Sequence, residues 1–386
     1  MKSTTLPLYF LFFSFMLSAI LSIGREDNLL YYLFSLIGLS VVFFTILFVK
    51  SKTFFKFNSL DVIFLISISS LISLGMLLRF EYMGIVLLLL FLSLVYYFKI
   101  IKLSIVKLLK VVNITYLIYL SLSIISYSGL ILAQEPGTLN SFVKDFGFIS
   151  FETLYGLEGS TAAIDSYSAL IILLNLFLNK RLTKYLIITI ALLALVWTTR
   201  FTPIVMLTLS ASSYVLVRNK FLAVVALSSI FLGFFLFTFL EMFYPNESFF
   251  IENVPNSIIL QIATHGRTFI WSEQLHNIAN SFNVLDFLIG NYNYAEVFIP
   301  WGKGTTSNSH NSFLYLFFRV GISAVFMIIF LMKKVFCNFD RRTFPIIFGV
   351  FLSATTNGAV FYVGNPVFFL VVIYLTYFYK EYNIIK

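Results

Sequence analysis

A chain of 386 residues that is 60% hydrophobic, 19% aromatic and only 11% charged has too little polar surface to face water as a soluble domain. Its long apolar runs and mean hydropathy of +0.95 assign it to the polytopic α-helical membrane class, and they exclude an outer-membrane barrel, whose strands alternate polar and apolar residues. The net charge of +9 suits nucleic acid or anionic lipid, and charge placement decides between them.

In chain order we read about twelve membrane spans, near residues 6–23, 29–49, 60–78, 83–98, 111–133, 161–178, 185–197, 203–217, 221–243, 311–331, 343–362 and 366–379. A helix needs about 20 apolar residues to cross a hydrocarbon core of roughly 30 Å. The first run is longer than a signal-peptide core of about 7–15 residues, so it is read as a span rather than a cleaved leader, although Ser22-Ile23-Gly24 loosely resembles a cleavage site. Of the 26 basic residues, six fall on one side (Arg25, Arg79, Lys144, Arg200, Arg267, Lys303), Arg319 lies within a span, and the other nineteen fall on the opposite side. Such a skew follows the positive-inside rule and places both termini in the cytoplasm. The charge excess is therefore topological, and nucleic acid is not an expected partner.

Two outer loops follow, a medium one near 134–160 and a large one near 244–309. The whole chain, 1–386, is a single membrane domain with its functional face outside. The first outer loop holds Glu26-Asp27, an adjacent carboxylate pair read as a solvated cluster rather than a metal site. The single Cys337 excludes a disulfide framework, and His265, His276 and His310 are too few and too widely spaced for a zinc site.

The turn Thr198-Thr199-Arg200-Phe201-Thr202-Pro203 joins two short spans. About 16 residues per crossing recess it below the outer surface, where irregular backbone must line a cavity or pack on protein. Thr202 and Pro203 begin a helix, and an arginine beside a positive helix end suits an anion such as phosphate. The alternative is an arginine snorkelling from an ordinary turn. Within the large loop, Trp271, Leu275, Ile278 and Phe282 recur at helical spacing over 267–282, which predicts an amphipathic helix on the membrane interface. Trp271 would be its anchor, with Arg267 at its N-terminal end facing a lipid-borne anion. His276 reads as a solvated or packing residue, and His265 is undecided.

His310 opens the tenth span, where the helix dipole disfavours imidazolium and leaves a neutral ring able to act as a base. The competing reading of Ser309-His310-Asn311-Ser312 is a plain helix cap. Arg319 follows about 14 Å along the same helix, near mid-membrane and on the opposite face, which favours a structural polar contact. The chain carries no Walker-type loop. Carboxylates inside the spans are confined to Asp61, Asp165 and Glu241, all near span ends, which disfavours an ion-coupled transporter.

The residues Gly266-Arg267-Thr268-x-x-Trp271, Leu288-Ile289-Gly290-Asn291-Tyr292, Ser309-His310-Asn311-Ser312 and Val320-Gly321, with Thr199-Arg200 earlier, resemble the O-antigen polymerase and O-antigen ligase superfamily. The close match covers about 65 residues, and the spans around it match loosely. Two positions depart from the pattern: the second glycine of the turn is replaced around Asn291-Tyr292, and Arg319 stands where an acidic residue is common. The resemblance implies a GT-C-like bundle in a bacterial inner membrane. It implies an inverting glycosyltransferase that uses undecaprenyl-pyrophosphate-linked oligosaccharide at the periplasmic face, with no metal or other cofactor. His310, Arg200 and Arg267 are then the expected catalytic residues, and Asn311, Trp271, Thr199 and Arg319 the expected substrate contacts. The lipid bilayer and a chain-length regulator protein are the further expected partners. A polymerase is preferred to a ligase that moves finished polymer to lipid A-core. A polysaccharide flippase and a metal-dependent transferase using Glu26-Asp27 are the alternatives from other classes.

Overall fold

The computed structural model describes residues 5–22, 37–38, 40–41, 59–79, 82–127, 143–145, 150–152, 161–198, 202–243, 267–299, 304–306, 309–356, 360 and 366–380. Fourteen α-helices dominate these residues, with two three-residue β-hairpins in the predicted loops. The helices are α1 Leu6–Ser22, α2 Ser59–Arg79, α3 Tyr82–Ile101, α4 Ile105–Tyr127, α5 Thr161–Leu178, α6 Thr183–Thr198, α7 Thr202–Leu216 and α8 Lys220–Phe243. They continue with α9 Arg267–Ser281, α10 Val284–Ile289, α11 Ser312–Val320, α12 Ile322–Cys337, α13 Phe344–Thr356 and α14 Val367–Ile373. A π-helical turn, Tyr374–Phe378, extends α14. The fold class is all-α.

The hairpins are β1 Val143–Asp145 with β2 Ser150–Glu152, and β3 Val297–Ile299 with β4 Gly304–Thr306, both antiparallel. β3 lies beside α9 and buries Val297, which is 4% exposed.

The centre of the molecule is a unit of α5, α6, α7 and α13, which α4 and α8 flank. Close approach is possible because α13 carries Gly349 toward α7: a Cβ there would fall 2.7 Å from Ser210 Oγ. Several buried polar groups in and beside this unit are paired across helices. Asn113 and Asn175 exchange amide bonds at 3.1 and 2.8 Å, Tyr116 meets Ser168 at 2.8 Å, and Ser166 meets Ser353 at 2.9 Å. Each pair satisfies groups that would otherwise cost about 1–3 kcal/mol when buried.

α13 runs antiparallel to α7. Arg341, just before α13, donates from Nε to the Tyr214 carbonyl near the C-terminus of α7 at 2.9 Å. From the Gly349–Ser210 contact, Thr356 lies about 10 Å and Thr202 about 12 Å onward at 1.5 Å per residue, so both reach the same end of the bundle. The opposite end holds Arg181, Arg341 and Arg342.

The outer faces of α6, α7 and α8 are apolar and bare: Leu186 is 65% exposed, Val196 73%, Leu216 70%, Phe221 68% and Leu232 66%. One described stretch, Ile105–Ile125, is long and apolar enough by itself to cross a membrane, and the other apolar helices offer runs of 10–17 residues.

The predicted tenth span, 311–331, is not one helix. Gly321 breaks it with φ 57° and ψ −141°, leaving α11 of 9 residues across the Thr356 end and α12 of 16 residues running away from it. The cause is tertiary. Gly321 presses on the loop after α10, where a Cβ would stand 2.6 Å from Gly290 N and from the Leu288 carbonyl. Gly290 answers with φ 85°, and its own Cβ would meet the Phe318 carbonyl at 2.7 Å. The two glycines of the sequence pattern thus form one backbone-to-backbone contact.

Candidate functional site

Four segments meet at the Thr356 end: the N-terminal half of α9, the turn before α11, the last residues of α13 and the loop after α10. In α9 the buried side is Thr268, Ile270, Trp271, Ser272 and Gln274. The predicted amphipathic helix is therefore present, but Trp271 is not an interfacial anchor. It is 3% exposed, packs on Phe234 with ring centroids 5.1 Å apart, and donates its indole N–H to the Ser309 carbonyl at 2.8 Å. An indole with a buried hydrogen-bond partner is worth more as a tie between elements than as a lipid float.

The turn before α11 is held on both sides. Ser309 is tied by Trp271, and Asn311 caps α11 by accepting from the backbone N–H of Phe313 at 2.9 Å and of Leu314 at 3.1 Å. The other half of the Asn311 amide donates to the Thr355 carbonyl at 3.1 Å. His310 lies between these two ties with φ 45°. A left-handed conformation costs a residue with a Cβ roughly 1–2 kcal/mol, and it persists only where the surroundings over-determine it. Its neighbours Ser309, Asn311 and Ser312 are fully buried, while His310 is partly exposed. The helix starts at Ser312, so His310 precedes the cap rather than opening the helix.

Arg267, the first residue of α9, donates from Nη1 to the Thr356 carbonyl. Two of the last carbonyls of α13 are thus taken, one by a guanidinium and one by the Asn311 amide. A helix C-terminus carries unsatisfied carbonyls and a partial negative charge. Capping it this way converts an end that repels anions into one that can tolerate them.

Arg319 does not lie on a continuous helix of the predicted length. It sits two residues before the break, with its guanidinium 3.3 Å from the centroid of the Tyr292 ring and 5.5 Å from that of Tyr315. Tyr292 belongs to the turn after α10, and Arg319 to the last turn of α11. The two side chains meet in one cation–π stack. Behind it, Asp286 accepts from Asn291 Nδ2 at 2.9 Å and pairs with Arg79 at the end of α2. The same carboxylate forms a capping box with Asn283. The Arg79–Asp286 pair was missed in the sequence, although Asn283-x-x-Asp286 has the spacing of such a box.

Arg267, Trp271, His310 and Asn311 are brought together, and Arg319 lies behind them beside the glycine contact. Thr199, Arg200, His265 and Glu26-Asp27 lie outside the described residues. The helix ends flanking Arg200, Thr198 and Thr202, belong to α6 and α7, and Thr202 is at the Thr356 end. His276 is exposed and hydrogen bonds Asn280 at 2.7 Å, away from this cluster.

No protein-family model, curated protein or solved structure matches the chain.

Proposed function

We propose that the protein is a polytopic membrane glycosyltransferase that polymerises a surface polysaccharide from polyprenyl-diphosphate-linked repeats, working at the Thr356 end. The observation that carries this reading is the convergence of Arg267, His310 and Asn311 on the C-terminus of α13, with His310 held in a left-handed turn. The bare apolar faces of α6 to α8 support the membrane part, since soluble proteins rarely leave contiguous apolar patches this large. Helices of 16 and 15 residues, α6 and α7, reach about 24 and 22 Å against a core of roughly 30 Å, shorter than a full crossing needs.

In this mechanism Arg267, joined by Arg200, holds the diphosphate of the donor. His310 takes the proton from an acceptor sugar hydroxyl as that oxygen attacks the anomeric carbon. The bond from that carbon to the diphosphate oxygen breaks, the diphosphate leaves with the electron pair, and the anomeric centre inverts. Positive side chains at a dry site stabilise the charge that develops on the leaving group. Nucleotide is not needed, because the leaving group is already activated.

A deletion strain complemented with His310→Ala or Arg200→Lys should yield lipopolysaccharide of core plus one repeat, with the protein present at normal abundance. A normal ladder from both variants would overturn the assignment of this site. Bare core in the deletion strain would instead identify the ligase activity.

A further inference from the structure

At the end of the bundle opposite the candidate site, a cavity of about 820 Å³ opens between the start of α4, the end of α5 and the start of α6. Its mouth carries Lys110, Lys180, Arg181 and Arg342. Among the described residues none of these four forms an ion pair. The nearby Asp340 does not line the cavity; its Oδ1 accepts from the backbone N–H of Arg342 at 2.8 Å and of Thr343 at 3.2 Å. Thr183, the first residue of α6, also lines the mouth and adds a helix N-terminus facing the opening.

The interior changes character with depth. Ile114, Leu117, Phe177 and Ile187 form an apolar wall, and Asn113 lies at the base, paired with Asn175. Along α4 the lining runs from Val106 to Leu117, eleven residues or about 16 Å at 1.5 Å per residue. A soluble anion would use the mouth alone. A mouth of four cations continuous with an apolar trench matches one molecule with a phosphate head and a fatty tail.

We propose that this cavity binds an anionic phospholipid, with its phosphate between Lys110, Arg181 and Arg342 and one acyl chain along Ile114, Leu117 and Ile187. Basic pockets between membrane helices recognise lipid headgroups in this way, each cation strengthening binding about fivefold. The site is separate from the transferase cluster, and the inference rests on the membrane reading but not on glycosyl transfer.

The test uses the full chain purified in a neutral detergent and examined by native mass spectrometry with phosphatidylglycerol or phosphatidylcholine added. Wild type should retain phosphatidylglycerol at least tenfold better than phosphatidylcholine, and millimolar pyrophosphate should not displace it. Lys110→Gln, Arg181→Gln and Arg342→Gln together should reduce retention by about two orders of magnitude, and Leu117→Trp should reduce it with every charge intact. Equal retention of the two lipids, full retention in the triple variant, or displacement by pyrophosphate would overturn the proposal, the last by identifying a soluble-anion site. Recovery of the chain from cells without detergent would instead refute the membrane reading itself.

Discussion

His310 carries the clearest residue-scale signature, a left-handed backbone conformation at a partly exposed residue. Trp271 fixes the carbonyl before it and Asn311 is committed to the helix after it, so its backbone is held from both sides by its neighbours' bonds. Backbone and side-chain roles can therefore be separated. His310→Gly accepts φ 45° without a Cβ penalty, and its melting temperature in detergent should stay within a few degrees of wild type while polymer formation is lost. A glycine variant that keeps making polymer would remove the base. The sequence placed this histidine beside a helix start, but its left-handed turn depends on ties to α9 and α13 that no local pattern encodes.

At the scale of elements, the contact between Gly290 and Gly321 explains why one predicted span is two helices. The residues Ala324–Met332 are apolar throughout, and nothing in their periodicity distinguishes a break before them from a continuation. The break is imposed by the loop pressing on it, which is a long-range fact. Gly321→Ala should be severely destabilising, since the new methyl would stand 2.6 Å from backbone atoms while occupying φ 57°. A penalty of about 3 kcal/mol or more follows from strain and clash together. Thermal unfolding followed by size-exclusion chromatography would measure it, and a variant as stable as wild type would show that the contact can relax. By contrast, α5 (Thr161–Leu178) and α8 (Lys220–Phe243) coincide closely with the predicted runs. Their limits are local: polar or basic residues bound an apolar run, and helix formation there needs no partner. The capping carbonyls of Thr355 and Thr356 could not be foreseen, because a main-chain acceptor has no residue type to announce it. The three-residue hairpins are likewise too short to carry a pattern.

Across the whole molecule, charge separates two ends with different chemistry. One end gathers few cations, and its described arginines are engaged by a carbonyl, a carboxylate or an aromatic ring: Arg267 on Thr356, Arg79 on Asp286, Arg319 on Tyr292. The other gathers Lys110, Lys180, Arg181 and Arg342 around an open cavity. On the proposed membrane reading, the second group lies where the positive-inside rule would put it, and the engaged arginines mark where organised chemistry is expected. The most direct test is to reconstitute the purified chain in liposomes with a fluorescent undecaprenyl-diphosphate-linked repeat and resolve the products by gel. Wild type should produce a ladder of lengthening glycans in the presence of chelator, and His310→Ala and Arg267→Ala should each reduce it at least a hundredfold. Unextended substrate with the wild-type protein, or full ladders from both variants, would contradict the account.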